Sequence, residues 1–116
     1  MKKLGFGLMR LPQSDPADSK AIDIERTKAM ADRFMAEGFT YFDTAYMYHG
    51  GKSELFIGHA LKKYPRESFY LTSKLPIWMC KEEADLEKIF NDQLAKCQTE
   101  YFDFYLCHSI SRENFK

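Results

Sequence analysis

At 116 residues the chain can bury one hydrophobic core and is short for two domains. Hydrophobic residues make up 45% and charged residues 29%, which excludes a disordered chain. No run approaches the ~20 apolar residues of a membrane span. Lys plus Arg and Asp plus Glu both total 17, so no basic surplus points to nucleic acid as a partner. Cys80, Cys97 and Cys107, odd in number and not closely paired, suit reduced thiols better than a disulfide framework. Met1-Lys2-Lys3 followed by a glycine-rich stretch is too short for a signal-peptide core, and a cytoplasmic protein is the expectation.

In chain order, Leu4 to Leu8 reads as a first strand, and the polar stretch from Gln13 to Ser19 as a loop. A helix capped by Asp23 runs to Glu37 with Met30, Ala31, Phe34 and Met35 on one face, and Gly38 ends it. Strand two is Thr40 to Thr44. Ser53 is expected to cap a second helix, whose stripe is Phe56, Ile57, Ala60, Leu61 and Tyr64, with Pro65 as its stop. Strand three is Phe69 to Ser73. A third helix begins near Lys81 behind an acidic cluster, and Leu86, Ile89, Phe90, Leu94 and Cys97 form its buried face. Phe102 to Cys107 is strand four, followed by a polar stretch over 109–116. Strands and helices alternating at this spacing predict a parallel sheet with all three helices on one side.

Parallel α/β sheets place their sites beyond the carboxyl ends of the strands. Asp43, Lys74 and His108 each close an apolar, aromatic run at that end, and Tyr48 lies in the loop after strand two. Singly, each has another use: a turn cap, a solvated lysine, a backbone partner, a packing aromatic. At matching ends of successive strands they make chemical sense together. A tyrosine, with a free pKa of ~10, is a poor acid at neutral pH unless a cation favours its phenolate. A lysine supplies that cation, an aspartate holds the lysine, and a histidine donates a hydrogen bond to a carbonyl oxygen. Gly5-Phe6-Gly7 has no third glycine, since position 10 is Arg10, so a dinucleotide fingerprint is not expected. No metal site is expected; adjacent Cys107 and His108 should face opposite sides of a strand.

Four blocks carry a resemblance: Gly5 to Leu11; Phe42-Asp43-Thr44-Ala45-Tyr46-Met47-Tyr48 with Ser53-Glu54 and Ile57-Gly58 behind it; Leu71-Thr72-Ser73-Lys74; and Leu94 to His108. Over nearly the whole chain the sequence resembles the N-terminal half of an aldo/keto reductase. The resemblance implies the first half of a (β/α)8 barrel, four parallel strands with three intervening helices, as one incomplete domain over residues 1–116. It implies NADPH-dependent reduction of an aldehyde or ketone, with Tyr48 as general acid, Lys74 lowering its pKa, Asp43 holding Lys74 and His108 orienting the carbonyl. Gly7, Leu8, Met9, Arg10 and Asp43 map near the nicotinamide. The chain departs from the family pattern at Gln98, where a glycine commonly ends the third helix, and at Cys107.

The chain is about half of the ~250 residues typical of such a barrel. The loops that hold the cofactor phosphates in the family follow the later strands, so a truncated half inactive alone is one expectation. A non-catalytic half-barrel that serves as an interaction or regulatory module is the alternative. Strands one and four should have unpaired edges, which predicts self-association or a complementary half-barrel chain.

Overall fold

The structure, a computed structural model, describes residues 2–113; Met1 and the last three residues of the predicted polar stretch lie outside the described residues. The elements are β1 (Gly5–Gly7), α1 (Ile24–Ala36), β2 (Tyr41–Asp43), α2 (Lys52–Ala60), β3 (Tyr70–Leu75), α3 (Glu83–Lys96) and β4 (Phe104–Cys107). They form one sheet in the order β1-β2-β3-β4, every pair parallel. α2 packs on both α1 and α3, so the helices lie side by side on one face, as right-handed crossovers require. The expected strand–helix order is the observed one.

Strand alternation sorts the side chains. Phe42 and Leu71 are buried toward the helices with Leu8, Ala31, Ile57, Ala60 and Leu61. Tyr41, Tyr70 and Phe104 stand together on the opposite, concave face, with centroids 5.9–6.5 Å apart, and Thr72 Oγ1 donates to Tyr41 Oη at 2.7 Å. By the same alternation Asp43, Lys74 and His108 belong to the concave face, while Ser73 and Tyr105 belong to the helix side.

Several local expectations need correcting. Ser53 does not cap α2: the cap is Gly51, in a left-handed conformation (φ 91°), and Ser53 is drawn into the interior. That frees its hydroxyl for Thr44 Oγ1, 2.7 Å away. On α3, Leu86 is 44% exposed, and the wholly buried position is instead Gln93. Its helical face meets the polar side of β3, not a purely apolar one. On α1, Met30 is exposed and Thr27 is buried in its place. Asp23 does cap α1, accepting from Arg26 N–H at 3.2 Å.

Candidate active site

At the carboxyl ends of β2 and β3, Lys74 Nζ donates to three oxygens: Asp43 Oδ2 at 2.8 Å, the Thr44 carbonyl at 2.9 Å and Tyr48 Oη at 3.1 Å. An ammonium has three N–H bonds, so its donors are fully used and its direction is fixed. The Lys74 side chain is 13% exposed and that of Asp43 33%, so the pair meets water at its carboxylate end. The loop from Thr44 to Tyr48 brings the phenol over this ammonium, and Nζ lies 4.8 Å from the Tyr48 ring centre.

His108 follows β4, and its backbone N–H donates to the Leu75 carbonyl at 2.9 Å. Its ring stands perpendicular to that of Tyr48, with centroids 5.8 Å apart, and Trp78 covers it at 5.2 Å. Burial holds its pKa below the ordinary histidine value, the Lys74 cation adds to the effect, and Asp43 opposes it. The imidazole is therefore neutral near pH 7. Among the described residues its buried Nδ1 has no hydrogen-bond partner. The four residues named from sequence thus meet around one ammonium and one phenol.

The loop after β1 runs along the same edge. Gly7 is in register with Asp43, and Leu8 N–H donates to the Asp43 carbonyl at 2.9 Å. Gly7, Met9 and Arg10 are exposed there, and the space where Gly7 would carry a Cβ is open. Leu8 differs from its expected placing: its side chain is wholly buried in the core and both its backbone groups are engaged, the carbonyl by Ser53 Oγ at 3.4 Å. A ligand at the strand ends would meet Gly7, Met9 and Arg10 rather than the Leu8 side chain. Among the described residues no group of three or more His, Cys, Asp or Glu could hold a metal ion.

Sequence reasoning missed two features behind the site. His49 is buried, with Nε2 accepting from Leu11 N–H at 3.0 Å and Nδ1 donating to the Ser19 carbonyl at 2.7 Å, which pins the long loop between β1 and α1. Glu54 and Gln93, both wholly buried, join Ser73 and the Lys74 carbonyl. The Ser53-Glu54 pair was visible in the sequence only as part of the resemblance, and nothing in the helical pattern of α3 singled out Gln93.

A parallel α/β sheet that gathers an ammonium, a carboxylate, a phenol and an imidazole at its carboxyl edge is the arrangement of part of an α/β barrel. A family model of the aldo/keto reductases matches residues 3–114. The chain belongs to the aldo/keto reductase family. It is 36% identical over 116 residues to aldo-keto reductase family 1 member A1 of Bos taurus, covering 93% of this chain and 31% of that protein. It is 31% identical over 120 residues to a probable aldo-keto reductase 1 of Glycine max, covering 95% and 33%. A crystal structure of an aldo-keto reductase from Klebsiella pneumoniae in complex with NADPH superposes with a TM-score of 0.73 at 28% identity, covering 90% of this chain and 34% of that one. The chain therefore spans about a third of its curated relatives and forms a partial barrel.

Proposed function

We propose that this chain is the acid–base part of an NADPH-dependent reductase that converts an aldehyde or ketone to an alcohol. The observation that carries the reading is the single ammonium of Lys74 held by Asp43 at 2.8 Å and set 3.1 Å from Tyr48 Oη. NADPH, when bound, supplies the hydride. Tyr48 holds the proton that the developing alkoxide takes, and Lys74 stabilises the phenolate left behind. Asp43 keeps Lys74 charged and aimed. His108, whose ring stands perpendicular to that of Tyr48, orients the substrate oxygen. The open edge formed by Gly7, Met9 and Arg10 next to Asp43 fits a nicotinamide lying across the strand ends. Leu8 supports that edge from the core.

The small carbonyl substrate enters from the concave side past Trp78. Among the described residues no strand pairs with the outer edge of β4, and Phe104 and Leu106 are 44% and 47% exposed. A second copy or a complementary half-barrel chain pairing there would close this surface. Cytoplasmic residence belongs to the same reading, supported by three free thiols. No helix among the described residues is long and apolar enough to cross a membrane.

The test supplies the chain with the later strands of a relative and follows NADPH consumption with a simple aldehyde. Tyr48→Phe should lower turnover by about 10²–10⁴-fold, the range for a lost general acid, with cofactor affinity nearly intact. Lys74→Met should lower the rate and also move the pH profile. The chain alone should bind NADPH weakly and turn nothing over. Turnover that survives Tyr48→Phe would overturn the reading.

A further inference from the structure

The catalytic face of the sheet is held from behind by a polar cluster that the proposed chemistry does not use. Ser53 and Glu54 are consecutive in the first turn of α2, and both are wholly buried. Ser53 Oγ shares a hydrogen bond with Thr44 Oγ1 at 2.7 Å, on the residue that follows Asp43. Glu54 Oε2 accepts from Ser73 Oγ at 2.7 Å, on the residue that precedes Lys74. Two adjacent helical residues thus grip two different strands, each one position from a site residue.

Gln93 of α3 extends the grip. Its Nε2 lies 3.0 Å from Glu54 Oε2, 3.1 Å from Ser73 Oγ and 2.8 Å from the Lys74 carbonyl oxygen. Its Oε1 accepts from Tyr105 Oη, on the strand that ends at His108. The remaining Glu54 oxygen faces Lys96 Nζ at 3.2 Å, so the buried carboxylate has a counter-charge. An apolar helix–sheet contact would pack these elements with less risk, because a buried polar group left unpaired costs about 1–3 kcal/mol. Apolar packing, however, tolerates small slips along a strand, whereas hydrogen bonds of fixed length do not.

We propose that Ser53, Glu54 and Gln93 are positioning residues: one polar spine that fixes the ends of β2, β3 and β4 relative to one another and so aims Lys74 at Asp43 and Tyr48. The proposal rests on the reading of Lys74 as the group that acts on Tyr48. The spine never touches the reacting atoms. It acts through the backbone of Lys74, whose carbonyl Gln93 holds, and through the neighbours of Asp43 and Lys74. Its members lie on the helix side of the sheet and the reactive groups on the concave side, so the device is the alternation of β-strands itself.

The test reads the Lys74 ammonium by nitrogen-15 NMR in the 116-residue chain, independently of cofactor or turnover. An ammonium whose three donors are all engaged exchanges slowly with water, and its signal is assigned by its loss in Lys74→Met. In Glu54→Gln that exchange should quicken by about fivefold, the scale of one net hydrogen bond, while the amide exchange of α1 is unchanged. Ser73→Ala and Gln93→Met, which leave the Glu54–Lys96 charge pair in place, should shift it in the same direction if Glu54→Gln fails to fold. An unchanged Lys74 signal in the variants that fold would overturn the proposal. So would exchange that quickens only in step with α1, because that would mark general destabilisation. Absent NADPH turnover in the chain completed by the later strands of a relative, together with the expected NMR shifts, would instead refute the assigned reaction and leave the spine standing.

Discussion

The ends of β2 and β3 and the end of β4 are held in different ways. Between β2 and β3, hydrogen bonds act on both faces: Lys74 with Asp43 and Tyr48 in front, Ser53 and Glu54 behind. Among the described residues β4 has a strand neighbour on one side only. Its entry is pinned by Arg66, which donates to Asp103 Oδ2 at 2.8 Å, to the Tyr101 and Phe69 carbonyls and to Thr99 Oγ1, and lies 3.9 Å from the Tyr101 ring centre. Asp103 in turn accepts from Leu71 N–H at 2.8 Å. Asp43, Tyr48 and Lys74 therefore form a set fixed within the chain, whereas His108 depends on a strand whose far edge is open. Under the proposed function, the part assigned to proton donation is the more firmly built, and the part assigned to orienting substrate is the one that further strands would steady.

The largest effect should come from Gly58, on the helix that carries Ser53 and Glu54. A Cβ there would sit 2.6 Å from the Lys96 carbonyl oxygen and 2.8 Å from the Cys97 carbonyl carbon. Both are backbone atoms with no rotamer to change, so Gly58→Ala must push α2 off α3. We expect a loss of ~3 kcal/mol, the upper end for overpacking, read as a lower denaturant midpoint. A midpoint within experimental scatter of the parent would mean that α2 and α3 are free to separate.

Arg66→Ala acts on the other region. The Arg66–Asp103 pair is partly exposed, with side chains 20% and 19% accessible, so the few kcal/mol of a buried pair must be discounted to ~2 kcal/mol. The loss should be local: amide exchange in β4 should quicken more than in β2 and β3. Equal quickening in all three strands would erase the distinction drawn between the regions.

The smallest effect compares two helix ends. α1 and α3 close with the same pair of bonds, Phe39 N–H to the Phe34 carbonyl with Gly38 N–H to Met35, and Thr99 N–H to Leu94 with Gln98 N–H to Ala95. The left-handed residue is Gly38 (φ 88°) in one and Gln98 (φ 53°) in the other. Gln98→Gly should therefore stabilise the chain by ~1 kcal/mol, a rise in midpoint with no change of slope. A fall would show that the glutamine side chain contributes more than its backbone strain costs.

The sequence disclosed the strand–helix order, and pointed to the four side chains that gather at the strand ends, for one reason. The last three strands are apolar runs closed by Asp43, Lys74 and His108, a pattern that survives without knowledge of neighbours. Glu54 and Gln93 were not legible because a polar residue on an amphipathic helix reads as solvated face. Only the crossing of α2 and α3 over Ser73 buries them. Ser53 was misread for a related reason: a serine ahead of an apolar helical run signals a cap, yet the left-handed turn through Gly51 takes that place two residues earlier. Leu86 shows the converse, a leucine on the expected stripe with nothing packed over it.

Trp78 is the chain's single tryptophan, and its indole lies 5.2 Å from the ring of His108. An imidazolium at that range accepts charge from excited indole and dims its emission, whereas neutral imidazole does so far less. Trp78 emission should therefore serve as an optical indicator of the proton on His108. Because burial and Lys74 hold the proton affinity of that ring below the ordinary histidine value, the dimming is displaced toward acid. Whatever shields His108 further, a ligand or additional strands, would push it further still, so the colourless chain reports by its own light how closed its active face has become.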